Sequence, residues 1–372
     1  MSVTCREIMN AMEQLAPGRL AAAWDNVGLL VGNPSQPVTH LLVALDAAPE
    51  LVEYAADSGV DLIITHHPLI FQAMNSIRTD SPVGAMAARL LKADIALYAA
   101  HTNLDAAAGG VNDALAGALG LGNLRPLRLE GADPLLKLAV FVPVEAAERV
   151  REAIGQAGAG HIGNYSQCAF LAEGTGTFLP LGGANPYVGE QGKLARVPEV
   201  RLETILPESI SDRIVKAMLE AHPYEEVAYD LYSLKNPGIA YGLGRVGELP
   251  GGVALRDFAA QIKTALEVPF VRLTGPENRT VKKVAVCGGS GAGLIGDAAR
   301  SGADVLVTGD VKYHDAQQAQ RLGLTVIDAG HFGTERPVVA AVAAYLRRLG
   351  AQNNWNVKIE TDQLARDVFR VV

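Results

Sequence analysis

Cysteine is too scarce and too scattered in this chain to staple anything together. Its three cysteines, Cys5, Cys168 and Cys287, are an odd number and form no CxxC pair, which argues against a disulfide framework and fits a reducing compartment. Positive charge is in deficit as well. With 32 Lys and Arg against 40 Asp and Glu, the net charge is −8, the wrong sign for a general nucleic-acid binder, although a net figure does not see a local basic patch. Long apolar runs are missing: the stretch 338–346 falls far short of the ~20 residues that a membrane span needs, and Arg336, Arg347 and Arg348 flank it. The first residues lack the basic and apolar regions of a signal peptide, and Thr4 reads instead as the N-cap of an amphipathic helix. The expectation is a cytoplasmic protein with no membrane partner and no general nucleic-acid partner.

What is present is an ordinary globular composition, 49% hydrophobic and 19% charged over 372 residues, long enough for two or three domains. The first part alternates strand and helix: strands over 40–45, 61–65 and 95–100, helices over 49–56, 82–91 and 111–119. The last part repeats that grammar, with strands over 281–287, 304–308, 325–328 and 357–360 and helices over 292–300 and 334–349. Near-continuous apolar strands between helical patterns indicate parallel sheets covered on both faces. The middle reads differently: a strand over 136–142, a helix over 144–156, short strands over 166–172 and 176–180, a Gly- and Pro-rich loop over 182–198, a strand over 199–206, a helix over 208–221 and a strand over 226–234. That order approximates β-α-β-β-α-β, a ferredoxin-like unit inserted between Pro134 and Pro237. The fold class is therefore α/β, two α/β halves joined by an α+β insert.

Three segments each follow a strand-like run: Thr65-His66-His67-Pro68, His101-Thr102-Asn103-Leu104-Asp105 and His331-Phe332-Gly333-Thr334-Glu335. Ligands collect beyond the carboxyl ends of parallel strands, and four histidines with two carboxylates placed there have the composition of a two-metal hydrolytic site. Pro68 holds His67 extended and ends the ladder, so that both histidines can serve one site. Asp105 is expected in the loop after the third strand, with His101 and Asn103 as supporting or substrate groups. Pro337 is comfortable only in a first helical turn, which predicts a helix starting near Thr334, with His331 in the loop before it and Glu335 projecting from the first turn. If Glu335 bridges, His67 with Asp105 and His66 with His331 complete the two metal positions. Water between such metals ionises near neutral pH and serves as a nucleophile. Two carboxylates against two divalent cations leave a surplus of about +2, which favours an anionic substrate such as a nucleotide. Nitrogen and oxygen ligands without thiolate do not choose among zinc, iron, manganese, cobalt or nickel, of which zinc, iron or manganese is the expectation. Asp25 and Asn26, and Asp310 with Tyr313 and His314, are further candidates to reach substrate. The turn Gly288-Gly289-Ser290-Gly291 opens either an anion-binding amide cradle or a close-packed corner; it lacks the Lys-Ser/Thr of a P-loop and the dinucleotide spacing. Cys287 reads as buried and inert.

The motifs WDNVGLLVG (24–32), THHPL (65–69), HTNLD (101–105), GGSG (288–291), TGD (308–310) and GHFGTE (330–335), in that order, resemble the NIF-three-like family. The middle resembles the insert of its longer members, similar to the trimeric CutA/PII-like fold, through GHIGNY (160–165), GANP (183–186) and HPYEE (222–226). The resemblance implies an N-terminal NIF-three-like half over 1–126, a CutA/PII-like insert over 127–237 and a C-terminal half over 238–372. It implies two divalent metal ions on His66, His67, Asp105, His331 and Glu335, and a toroidal homohexamer whose openings the insert caps. The implied activity is that called GTP cyclohydrolase 1 type 2, in which metal-bound hydroxide attacks C8 of the guanine, opens the imidazole ring and releases formate. Substrate contacts would fall to His101, Asp25 and Asp310. A plainer phosphoesterase would use the same ligands. The alternative is a non-enzymatic metal-binding regulatory scaffold or metal-handling ring, its insert sensing a small ligand through the loop over 182–198.

Overall fold

The structure, a computed structural model, describes residues 3–163, 165–275 and 279–370; Asn164 of the GHIGNY motif lies outside them. The chain forms two compact units, one of Met1–Glu130 with Tyr241–Val372 and one of Gly131–Ala240. Among the described residues no helix is long and apolar enough to cross a membrane.

The first unit is mixed α/β and holds two main sheets. In one, the strands Lys358–Thr361, His40–Ala44, Leu62–Thr65 and Ala96–Ala99 run parallel, and Gly28–Val31 adds an antiparallel edge. In the other, Thr280–Ser290, Val305–Gly309 and Thr325–Asp328 are parallel, with antiparallel strands Arg272–Leu273 on one edge and Ile239–Ala254 followed by Gly122–Asp133 on the other. The central strands are buried throughout, as their unbroken apolar runs require. Thr4 caps the helix Cys5–Leu15 in a reciprocal box with Glu7.

The two sheets are not two sequence halves. Lys358–Thr361, from the end of the chain, pairs with His40–Ala44 and so extends the first sheet. The helix Pro337–Gln352 buries Val338, Val342 and Leu346 in the core that contains Leu41, Leu62 and Tyr98 of that same sheet. In return, Gly122–Asp133, from the early part, lies on the second sheet. Several elements have no counterpart in the sequence reading, among them the strands Gly28–Val31, Gly122–Asp133 and Ile239–Ala254 and the helices Leu255–Leu266 and Tyr313–Arg321. Glycine-rich punctuation such as Pro250-Gly251-Gly252 reads as loop, whereas the strand carries it at a register shift between Glu248 and Val253.

The second unit is a four-stranded antiparallel sheet in the order Tyr229–Ser233, Leu135–Pro143, Ala195–Pro207, Ala169–Phe178. The helices Ala147–Gln156 and Ser211–Ala221 bury Val150, Ile154, Ile214 and Met218 against Leu138, Val140 and Leu202. The two short strands expected over 166–172 and 176–180 are one strand. Gly174 and Gly176 look like breaks in the sequence, but both pair in register with Ala195–Pro207.

Arg245, 3% exposed, ties early and late segments of the first unit together. Its guanidinium donates to Asp113 on the helix Val111–Ala118 and to the carbonyls of Ala107, Gly242 and Gly244 at 2.7–2.9 Å. Substituting Arg245→Met is expected to cost about 1–3 kcal/mol by removing a charged donor from Asp113 and from the carbonyls of Ala107, Gly242 and Gly244, and Arg245→Lys is not expected to restore a forked geometry. Urea unfolding checks this, and an unchanged midpoint in Arg245→Met would refute it.

Candidate metal centre

The carboxyl ends of both parallel sheets in the first unit deliver the site. Leu62–Thr65 ends at His66 and His67, and Ala96–Ala99 leads through His101 into the short helix Thr102–Ala106, which carries Asp105. Asp105 is thus on a helical turn and not in a loop. From the second sheet, Thr325–Asp328 leads to Gly330 and the helix His331–Glu335. The expected helix start near Thr334 is corrected here. Gly330 takes φ 80°, a left-handed conformation that turns the chain early, so His331 and Glu335 share one helical face four residues apart. Pro337 then opens a separate helix at its own first turn.

Glu335 is at the centre and 4% exposed. Its Oε2 lies 3.1 Å from Nε2 of His67 and 3.1 Å from Nε2 of His331. Its Oε1 lies 3.7 Å from Nε2 of His66, which is also 3.7 Å from Oδ1 of Asp105. The donor pairing expected from sequence is therefore exchanged: His66 goes with Asp105, and His67 with His331. The reason is positional, since His66 and Asp105 follow neighbouring strands of the first sheet, whereas the His67 ring turns toward His331 of the second sheet.

These approaches are not hydrogen bonds. Nε2 of His66 and Oε2 of Glu335 are both buried without a hydrogen-bond partner, a costly state for polar atoms unless something else satisfies them. Separations of 3.1–3.7 Å fit two ligand atoms each roughly 2.0–2.2 Å from one cation.

The outer nitrogens settle which atom faces inward. Nδ1 of His66 donates to the Ala100 carbonyl (2.9 Å), Nδ1 of His67 to Asp46 (2.8 Å), Nδ1 of His331 to Asp310 (2.7 Å) and Nδ1 of His101 to Asp25 (2.9 Å). Each ring is fixed in one tautomer and orientation, leaving Nε2 as the inward atom, as metal-binding histidines require. His66, His67 and His101 offer ligand atoms within 4.8 Å of one another, and so do His67, His331 and Glu335, the last through a carboxylate oxygen.

Several sequence-level candidates move accordingly. Asp25 and Asp310 orient His101 and His331; Asp25 also accepts from the amide and hydroxyl of Thr102. Asp46 performs the same task for His67 and was not among the candidates, although a carboxylate ending the strand before Thr65-His66-His67 was a readable signal. Asn103 is fully buried and donates to the Ala16 carbonyl, and Asn26 donates to the Ile70 carbonyl. Tyr313 and His314 interact along their own helix. The Gly288–Gly291 turn is a close-packed corner, since its amides are taken by Asn112, Thr334 and Thr308. At Gly289, with φ 59°, a Cβ would stand 2.2 Å from Oε1 of Glu335 and 3.1 Å from Nε2 of His331. Burial and the nearby carboxylates push the Cys287 thiol up to about 12, so it offers no thiolate.

Without a cation the cluster favours protons. Burial lowers His67, but Asp46 and Glu335 overcome it and raise the ring to about 10. Glu335 is also the main reason His331 rises to about 9, against its burial. Burial alone would raise Glu335, yet the surrounding imidazoles hold it far below the usual carboxylate range.

The sequence pattern of the family described as Duf34/NIF3 (NGG1p interacting factor 3) matches residues 3–367. A Bacillus subtilis (strain 168) protein called GTP cyclohydrolase 1 type 2 homolog is 47% identical over 364 residues, 97% of each chain. A homolog of the same name from Halalkalibacterium halodurans is 43% identical over 365 residues, 98% of each. Among solved structures, a Bacillus cereus protein related to NIF3 superposes with a TM-score of 0.87 at 46% identity, covering 100% of both chains.

Two outcomes follow from the geometry. Gly289→Ala is expected to displace the Glu335 carboxylate and lower bound divalent metal, measured by elemental analysis, whereas Gly293→Ala, where a Cβ meets nothing within 4 Å, is expected to leave it unchanged. Equal loading of both would refute the packing argument. Because His67 and His331 are raised to about 10 and about 9, their protonated forms stabilise the metal-free fold at pH values below the ordinary imidazole pKa near ~6.5. That contribution is lost as pH rises through 9 to 10. Metal uptake at pH 7 is therefore expected to release protons, which calorimetry in buffers of different ionisation enthalpy reads directly; no release would contradict it.

Proposed function

The chain belongs to the Duf34/NIF3 family, and from that membership we propose that it is a divalent-metal-dependent hydrolase acting on a nucleotide or other phosphorylated substrate. The observation that carries the reading is the set of four imidazoles, each with Nδ1 held by an oxygen, that turn Nε2 toward the buried Glu335 cluster. In this reading His66, Asp105 and Glu335 would hold one cation, and His67, His331 and Glu335 would hold a second. A bound divalent pair would supply Lewis-acid polarisation and activation of water.

The chain's own residues do the rest. The His331 and His67 side chains remain 39% and 25% exposed, while those of His66 and Glu335 are 1% and 5% exposed. Such a site is walled on one side and open on the other, as a catalytic rather than a structural centre requires. His101 is oriented by the buried Asp25 carboxylate, and although its ligand atom lies within 4.8 Å of those of His66 and His67, this reading leaves it out of both donor sets and gives its Nε2 the role of proton acceptor beside the open side. Trp24 and Phe71, 62% and 49% exposed, lie 5.8 Å apart, each close to the His101 ring, and offer a planar substrate group a stacking surface. The activity carried by the relatives' name, GTP ring opening, is the specific form of this proposal. The proposal extends to a homohexameric ring, a cytoplasmic location and zinc, iron or manganese as the metal. It also takes residues 127–237 as a CutA/PII-like insert, supported by their β-α-β-β-α-β element order.

Metal-reconstituted protein is expected to release formate from GTP, and His101→Asn is expected to lose about 10²–10⁴-fold in kcat with metal content unchanged. Phosphate release without formate would replace ring opening by phosphoester hydrolysis. No turnover over a nucleotide and phosphoester panel by fully loaded protein would overturn the enzyme reading in favour of a metal-bearing scaffold.

A further inference from the structure

The motifs GANP and HPYEE take no part in the metal centre, yet the fold of the second unit brings them together. The Asn185 amide donates to Oε1 of Glu225 (2.8 Å). The Tyr187 ring lies 6.1 Å and the Phe178 ring 5.9 Å from that of Tyr224. They frame a cavity of about 680 Å³, within the range of small-molecule sites.

Its position follows from strand alternation. Along Ala195–Pro207, Val200 and Leu202 face the helices, so Glu199 and Arg201 face the opposite side of the sheet, where segments around 179–187 and 224–228 cover them. An acidic residue on that face is ordinarily solvated, but Glu199 is 7% exposed. Oε1 accepts the Tyr224 hydroxyl at 2.8 Å. Burial and the Glu199 carboxylate push the Tyr224 phenol up, so it remains a donor. Oε2 has no hydrogen bond among the described residues. It lies over Gly176, where a Cβ would stand 2.0 Å away, and it borders the cavity.

The lining holds one cation among the described residues, and it is engaged: Arg201 pairs with Glu203 at 2.7 Å and lies over the Phe141 ring. Glu173, Glu225 and Glu226 add negative charge around the cavity. A neutral or anionic occupant would leave the buried carboxylate uncompensated. A metal ion would find Glu199 as the one buried carboxylate, its Oε1 already engaged by Tyr224, and among the described residues no three of the surrounding acidic groups bring their oxygens within 4.8 Å of one another, too few converging oxygens for a hard cation. An ammonium on an apolar body answers both features, pairing with Glu199 and lying against aromatic faces.

We propose that this cavity binds a small organic cation, an ammonium group carried on an apolar or aromatic body, with Glu199 as its counter-ion and Tyr224 holding that carboxylate in place. The site is independent of the metal centre and of the hydrolase reading.

Calorimetric titration of the full-length protein with phenethylammonium, 2-phenylethanol and 3-phenylpropionate tests it. Phenethylammonium is expected to bind at least about tenfold more tightly than the alcohol or the acid, and Glu199→Gln to weaken it by at least about tenfold, about 1.4 kcal/mol. Gly174→Phe supplies a second arm that leaves the buried carboxylate alone. Gly174 borders the cavity and a Cβ there meets nothing within 4 Å, so the ring is expected to fill the space and abolish binding with metal content and melting temperature unchanged. The proposal is overturned by any of three results: no binding of phenethylammonium to wild type up to about 10 mM, equal affinity for the alcohol, or undiminished ammonium binding in a folded Glu199→Gln or Gly174→Phe protein.

Discussion

A buried carboxylate with no hydrogen bond to satisfy it organises the first unit. Glu335 carries a charge where water does not reach, and such a charge persists only when compensating groups are fixed around it. His66, His67 and His331 are those groups. Each is fixed in turn by an oxygen behind it, and Gly289 leaves space for the carboxylate by having no side chain. The two sides of the carboxylate are unequal. Behind His66 stands a neutral backbone carbonyl, and behind His67 and His331 stand the carboxylates of Asp46 and Asp310. A carboxylate makes an imidazole a stronger donor than a carbonyl does, so the more electron-rich set is also the more exposed one.

Much of this was legible in the sequence. The apolar runs ending at Thr65, Ala100 and Asp328 announced parallel strands, and the rule that ligands gather at strand ends singled out His66, His67, Asp105, His331 and Glu335. What escaped was local geometry set by backbone freedom. The left-handed Gly330 lets a helix begin at His331, which the position of Pro337 alone would not suggest. The pairing of donors depended on which way each ring turns beyond its strand end, and no spacing encodes that. Asp25, Asp46 and Asp310 were hard to separate from substrate-binding acids, because a carboxylate oriented toward a ring nitrogen looks the same in sequence as one facing solvent.

The second unit shows the same limit from the other direction. Gly174 and Gly176 look like interruptions of a strand, and they are interruptions only of its side-chain face. The missing Cβ atoms leave the hollow into which Glu199 extends. GANP and HPYEE, some forty residues apart, show no link in the sequence until the sheet places both over that hollow.

The crossing of the late chain segments back onto the first sheet has one further consequence. His331 and Glu335 are followed at once by a helix whose apolar side is embedded beside Leu41, Leu62 and Tyr98, and then by a strand that zips onto His40–Ala44. The donors from the two sheets are therefore coupled mechanically through the same stretch of polypeptide. Neither stretch could be excised, circularised or duplicated as a working module, since each lacks the wall that seats its own ligands. Such an architecture can lengthen between its interlocked ends, where 131–240 now stands, far more easily than it can be divided.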